Sequence, residues 1–280
     1  MAVCETWFRR CELKEGQSGF CGVRRCRDGR VAPENYGRVT ALALDPIEKK
    51  PLARFRPGGR ILSVGSYGCN LRCPFCQNHG ISWSREALAL AGTAPYVSPE
   101  TLAETALAYR DRGNVGVAFT YTEPLVGWEY VRDAARLVRA AGMVNVLVTN
   151  GTASPAVLEE LLPWIDAMNI DLKGFSPAYY EDVLSGSLET VLAFIARAAR
   201  SCHVELTTLI VPGENDGEAE MRALSRWVAS LPGGEEIPLH VTRFFPRFRM
   251  TGRGPTPAET VRRLAETAGE VLKYVYPGNL

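Results

Sequence analysis

The sequence predicts an α/β fold, a partial (β/α)6 TIM-type barrel preceded by a small cysteine-bearing N-terminal module. From residue 61 onward, short β-branched runs alternate with longer amphipathic stretches, the pattern of a parallel sheet with helical crossovers. Periodicity alone fits an open doubly wound layer as well as a curved barrel, because both bury near-continuous apolar strands. The polar residues favour the barrel. They gather at strand C-terminal ends, which converge on one mouth in a barrel. The first 60 residues lack the alternation and are rich in Gly, Arg and Cys.

In chain order, residues 1–35 read as the N-terminal module and 36–58 as a connector, whose only apolar run is Val39–Leu44. The barrel spans 59–280. Its strands are expected at Ile61–Ser66, Val115–Tyr121, Met143–Thr149, Met168–Lys173, Val204–Val211 and Leu239–Phe245, with a terminal run at Leu272–Tyr276. Helices are expected over Thr101–Arg112, Ala156–Ile165 and Ala258–Glu270. Each follows a hydroxyl residue and a proline, Ser98-Pro99, Ser154-Pro155 and Thr256-Pro257, the order of an N-cap and a first helical position.

Composition narrows the functional classes. With 46% hydrophobic and 22% charged residues in 280, the chain can bury a large core. No window approaches the roughly 18 apolar residues of a membrane span, and no basic and apolar leader opens the chain, so a cytoplasmic enzyme is expected. The net charge of +1 gives no reason to expect nucleic acid or a membrane as partner. Residues 1–60 hold 13 Lys/Arg against 7 Asp/Glu, a balance of +6 that leaves −5 on residues 61–280. That asymmetry reads as solvated surface charge or as a docking feature.

Eight cysteines without a leader suggest thiols used for metal binding or chemistry. Cys69, Cys73 and Cys76 have the spacing C-x3-C-x2-C directly after the first barrel strand. Three thiolates can hold three irons of a [4Fe–4S] cube and leave the fourth open to a small ligand. A Cys73-Pro74-Phe75-Cys76 redox dithiol is an alternative that leaves Cys69 unexplained. A zinc site using His79 is another.

The triplet, with Phe75 just before the last cysteine, resembles the signature of radical S-adenosylmethionine (SAM) enzymes. Phe119-Thr120-Tyr121-Thr122-Glu123-Pro124 is similar to the Gly-Gly-Glu-Pro region of that superfamily, with both glycines replaced. Thr149-Asn150-Gly151 and Asp171-Leu172-Lys173 are similar to segments of pyruvate formate-lyase-activating enzymes, and His240 occupies the place of a histidine beside the adenine. The resemblance implies that Cys69, Cys73 and Cys76 ligate a [4Fe–4S] cluster. It also implies that Phe75, Thr122, Glu123, Thr149, Asn150, Asp171, Lys173 and His240 hold SAM, and that a reductant such as flavodoxin or ferredoxin supplies the electron. The activators carry an aspartate before Thr-Asn-Gly that helps hold a monovalent cation; here it is Val148, so the cation is not assumed.

Longer runs carry a closer resemblance. Gly19–Arg24, Asp45–Leu52, Gly68–Asn70, Cys76–Asn78, Val204–Asp216 and Tyr274–Asn279 look like the AmmeMemoRadiSam-system radical SAM enzymes, a family associated with two further protein families that are candidate partners. Relatives begin with Cys-x2-Cys-Pro-x2-Cys, where this chain has Trp7 and Phe8. Cys4, Cys11, Cys21 and Cys26 still count to a second site, for zinc or a second iron–sulfur cluster, or they are reduced, unligated thiols.

Plainer readings stand beside each residue. Glu123 suits a helix N-terminus, Asp171 and Lys173 share a strand face and could simply pair, His240 could be a core histidine, and Cys202 reads as a small buried hydrophobe. Three functions remain open on sequence. The radical could attack an unidentified small molecule or modified residue, or it could activate a glycyl-radical enzyme. The chain could also be a metal-binding interaction protein without turnover.

Overall fold

In the computed structural model, which describes residues 1–280, the chain begins with two antiparallel ribbons. These are β1 (Ala2–Val3) with β2 (Glu12–Leu13), and β3 (Arg24–Arg27) with β4 (Arg30–Pro33). One eight-stranded sheet follows, with β5 (Ala41–Pro46), β6 (Arg60–Gly65), β7 (Asn114–Phe119), β8 (Val144–Thr149), β9 (Ala167–Asp171), β10 (His203–Ile210), β11 (Leu239–Arg243) and β12 (Val275–Gly278) side by side in chain order. β5 is antiparallel to β6, and every later pair is parallel. β5 and β12 are the edges, so the barrel stays open, as the sequence predicts.

The helices are α1 (His79–Ser82), α2 (Arg85–Ala89), α3 (Pro99–Ala108), α4 (Trp128–Ala140), α5 (Pro155–Leu161), α6 (Leu188–Ala198), α7 (Glu218–Ala229) and α8 (Ala258–Gly269). The hydroxyl-proline signals place α3, α5 and α8, but only one acts as a cap. Ser98 accepts a hydrogen bond from the Thr101 amide, whereas Ser154 makes no cap bond. Thr256 is one residue too early, and its hydroxyl donates to the Ile210 carbonyl at 2.6 Å, tying the loop to β10. The terminal strand also begins later than expected, at Val275, because Leu272 packs into the core beyond α8.

Strand alternation divides the apolar residues between two layers. Leu62, Val117, Leu147, Met168 and Leu206 point outward into a 52-residue core beneath the helices. Ile61, Ala118, Val146 and Ala167 point inward and form a separate cluster with Ile47 and Leu52. The connector is therefore more than a tether. It supplies the edge strand β5 and then sends 47–54 into the lumen, where the Asn169 amide donates to the Pro51 carbonyl and the Ala53 and Arg54 amides donate to Glu205.

Register stacks the inward residues in tiers, as in closed barrels. Ala118, Val146, Ala167 and His203 lie at one level, and Val148, Asn169 and Glu205 at the next. Asp171, Thr207, His240 and Tyr276 form the third, with Leu209, Thr242 and Gly278 above. The lowest tier is mostly apolar and plugged; the upper tiers are polar and open.

Candidate active site

The upper tiers and the loops beyond them surround a cavity of about 990 Å3. Cys69, Cys73 and Cys76 lie on one side of it, in the loop after β6. Glycine is required at the start of that loop. Gly68 has φ +98°, and a Cβ there would come within 2.5 Å of Val23, so the N-terminal module packs directly against the turn before Cys69. The Leu71 amide donates to Cys69 Sγ at 3.5 Å, and Cys76 Sγ lies 3.2 Å from Ser82 Oγ. Burial raises the Cys69 thiol and pushes Cys73 up to about 11, the cost of placing thiolates there without a cation.

Across the cavity, Glu123 is buried after β7. Its Oε1 accepts from the Thr149 hydroxyl at 2.7 Å and the Leu125 amide at 3.0 Å, and its Oε2 accepts from the Asn150 amide at 2.7 Å. Burial pushes its carboxyl up to about 7 in spite of these bonds. The Asn150 side chain turns elsewhere, donating to Asn70 Oδ1 at 2.9 Å and accepting from the Thr152 hydroxyl at 2.6 Å; Asn70 in turn donates to Thr152 at 2.8 Å. Since Asn70 lies between Cys69 and Cys73, this closed triangle fixes the cysteine loop to the end of β8. Asn70 and Thr152 were not singled out from sequence, and nothing in their spacing marks them.

Asp171 and Lys173 meet, Nζ to Oδ2 at 2.6 Å. Burial would lower the Lys173 ammonium, but the charges of Asp171 and Cys73 overcome it and raise it well above the usual lysine range. Both residues border the cavity, so their pairing leaves them open to a ligand. His240 also borders it, stacked on Tyr276 with ring centroids 5.2 Å apart. Its Nε2 donates at 2.7 Å to Glu205, which takes a second bond from His203 at 2.9 Å. Burial opposes ionisation of Glu205, yet the bonds from His203, His240, Ala53 and Arg54 hold its carboxyl at about 2. Glu205 is the main side chain sequence reasoning passed over. Its signal was an acid amid the apolar residues of a buried strand, which requires partners.

The connector lines the remaining wall. Lys50, nearly inaccessible, donates to Asp45 at 3.0 Å, and the Tyr121 hydroxyl reaches the same carboxylate at 3.0 Å. Tyr121 has φ +72°, strained for a residue with a side chain. Its ring lies where a Cβ on Gly65 would stand, 2.7 Å away, so Gly65 makes room for it.

Comparison with known proteins decides what this arrangement is. The radical SAM superfamily profile matches residues 63–224. The chain belongs to the radical SAM superfamily. It is 40% identical to the uncharacterized protein MJ0808 of Methanocaldococcus jannaschii over 281 residues, covering 99% of this chain and 81% of that one. It is 26% identical to the pyruvate formate-lyase 1-activating enzyme of Escherichia coli K12 over 189 residues, covering 65% and 74%. A domain of pyruvate-formate lyase-activating enzyme from Bacteroides vulgatus superposes with TM-score 0.51 and 20% identity, covering 59% of this chain and all but 1% of that one, which speaks to the fold alone.

Membership in the radical SAM superfamily implies a [4Fe–4S] cluster and SAM. Three cysteines on one loop, facing a roomy polar cavity with anionic and cationic side chains opposite, fit both groups. Phe75, Thr122, Glu123, Thr149, Asn150, Asp171, Lys173 and His240 border the same cavity as the triplet. Cys4, Cys11, Cys21 and Cys26 do not. No three Cys, His, Asp or Glu side chains in the chain gather tightly enough to chelate a single ion. A [4Fe–4S] cube does not require such a cluster of side chains, since its three thiolates would each take a different iron. Cys202 packs beside the outer core, where burial pushes its thiol up to about 12. No helix is long and apolar enough to cross a membrane.

Proposed function

We propose that the protein binds a [4Fe–4S] cluster through Cys69, Cys73 and Cys76 and cleaves SAM to abstract hydrogen from a substrate. The observation that carries this reading is the shared cavity: triplet, buried carboxylate and Asp171–Lys173 pair all face one space. Held by the triplet, a reduced [4Fe–4S] cluster would supply the electron for reductive cleavage of SAM.

The chain's own residues do the rest. Glu123, kept in place by Thr149 and the Asn150 amide, would accept from the methionine ammonium, while Lys173 would offer its charge to the methionine carboxylate. Asp171 orients Lys173. His240, locked by Glu205, and Phe75 line the same cavity and would flank the adenosyl group. Asn150 acts through Asn70 and positions the cysteine loop. Thr122, whose hydroxyl donates to the Ser66 carbonyl at 3.3 Å, holds the turn carrying Glu123 against the start of that loop. The plugged lumen excludes water from below.

Within the superfamily we place the chain with the AmmeMemoRadiSam-system enzymes, on the six sequence runs given above. Activation of a glycyl-radical enzyme is the second reading, supported by the similarity to the E. coli activator and weakened by Val148 and by the replaced glycines before Glu123. Residues 1–35 form a module, 36–58 a connector and 59–280 the catalytic barrel.

The test is anaerobic reconstitution. The protein should take up about four irons and form 5′-deoxyadenosine from SAM when dithionite is supplied. Cluster uptake without any SAM cleavage would overturn the reading. Glycyl-radical formation on a candidate partner, followed by electron paramagnetic resonance, separates the second reading from the first.

A further inference from the structure

A continuous chain of alternating cations and aromatic rings runs along the outside of the cysteine loop. The Arg9 guanidinium lies 4.1 Å from the Phe20 ring centroid and that of Arg72 lies 3.8 Å from it. Arg72 also reaches Trp83 at 5.4 Å, and Arg249 covers Trp83 at 4.6 Å and Phe248 at 5.2 Å. The His79 ring stacks on Phe248 with centroids 4.5 Å apart.

This row is joined to the triplet loop by backbone contacts. Arg72 donates to the Cys69 and Leu71 carbonyls, each at 2.9 Å, and to the Phe20 carbonyl of the N-terminal module. The Arg249 amide donates to the Pro74 carbonyl at 2.9 Å. Its charge is uncompensated. Neither the segment Cys69–Arg85 nor the segment Phe244–Pro257 contains an Asp or Glu. Arg10 pairs with Glu5 and Arg253 with Glu214, whereas Arg9, Arg72, Arg247 and Arg249 have no carboxylate partner. The remainder of 61–280 is net acidic, so this face stands out by sign as well as by position.

We infer that this face docks an acidic one-electron carrier protein, with Arg249 of the row and the exposed Arg247 two residues before it as contacts, and that it is where electrons enter. The inference rests on the cluster assignment above, since a radical SAM enzyme draws its electron from an external reductant. Unpaired guanidiniums attract a carrier with carboxylates around its prosthetic group, and the Arg72 side chain and the Arg249 backbone tie this face to the cysteine loop, which brings that group close to the triplet. Nucleic acid fits less well. Two guanidiniums lie over Phe20 and two over Trp83, and Phe248 meets His79 and Arg249, so the rings a base would stack on are already engaged.

The experiment compares the reconstituted wild type with R247E/R249E and R247K/R249K, using an acidic flavodoxin as probe. Binding is read by titration calorimetry at low and high salt, and SAM cleavage is driven by either photoreduced flavodoxin or dithionite. Flavodoxin should bind the wild type and R247K/R249K with an affinity that falls with salt, and R247E/R249E roughly tenfold or more weaker. Flavodoxin-driven cleavage should fall in parallel in R247E/R249E, while dithionite-driven cleavage and iron content stay at the wild-type level. Equal flavodoxin affinity in wild type and R247E/R249E overturns the inference, as does binding of a single-stranded RNA that R247E/R249E loses while flavodoxin binding persists. Failure of dithionite-driven cleavage in the wild type would instead count against the cluster assignment, and the calorimetric comparison still decides the docking face.

Discussion

Cys69, Cys73 and Cys76 border a polar cavity at the mouth of the barrel, within reach of charged side chains from several strands. Cys4, Cys21 and Cys26 are more deeply buried and sit among Trp7, Leu13 and Val23 in an apolar cluster, with Cys11 packed against it. The residue type is the same in the two groups, and the surroundings differ. The first group stands at a strand end that opens onto space with charged neighbours, whereas the second is closed in by apolar side chains and does not border the cavity.

Exchange of the cavity cysteines should have the largest effect. Replacing Cys69, Cys73 and Cys76 by Ala is expected to abolish both iron uptake and SAM cleavage, measured by elemental analysis and by chromatography of 5′-deoxyadenosine. A triple variant that keeps a full cluster would erase the distinction between the two groups.

The charged wall opposite comes next. Asp171→Asn and Lys173→Ala should each weaken SAM binding by about tenfold or more, as expected from losing a hydrogen bond to a charged group worth ~1.5–3 kcal/mol, and should leave iron content unchanged. Unaltered affinity in both would make Asp171–Lys173 an internal ion pair with no ligand.

A smaller, pH-dependent effect belongs to Glu123. Its carboxyl titrates at about 7 because of burial, so lowering the pH through that value removes the charge that meets the methionine ammonium. SAM affinity should fall severalfold between about pH 8 and pH 6. In the ligand-free protein the sign reverses. A folded value of about 7 against an ordinary 4.5 means the folded state binds the proton more tightly, so this group's contribution to stability declines as pH rises through that window. Glu123→Gln should flatten both profiles, read by calorimetry and thermal melts. A SAM affinity that is flat across that range in the wild type would remove Glu123 from the binding site.

The smallest effect is expected from the other cysteines. Changing Cys4, Cys11, Cys21 and Cys26 to Ala should leave dithionite-driven SAM cleavage near the wild-type level. Elemental analysis of the wild type decides whether this group holds zinc or iron beyond the four irons of the triplet. Loss of cleavage with the triplet cluster intact would show that the N-terminal module belongs to the catalytic core.

Much of the site was legible because strand alternation and strand ends do the placing. Asp171 and Lys173 share a face by the period of two, and Glu123 and Thr149 stand where parallel strands deliver side chains to a mouth. What stayed hidden depends on contacts between distant segments. The connector gives no sign in its own sequence that it enters the lumen, so Asp45 and Lys50 were not expected beside the site. Asn70, Asn150 and Thr152 form a triangle that no spacing encodes. Helices α4, α6 and α7 follow Gly127, Ser187 and Gly217 without the hydroxyl-proline signal that marked α3, α5 and α8. Ser154 and Thr256 show that the same signal can place a helix while the hydroxyl serves no cap.

The lumen plug has a consequence for how the chain reaches its native state. Ala53 and Arg54 bond Glu205 across separations of 152 and 151 residues. On the ribosome, residues 47–54 emerge long before β9 and β10 exist to receive them. The early segment must wait, and the sheet assembles around it. Long-range closures of this kind slow folding and leave strand edges bare until β10 has joined the sheet and brought Glu205 to the plug.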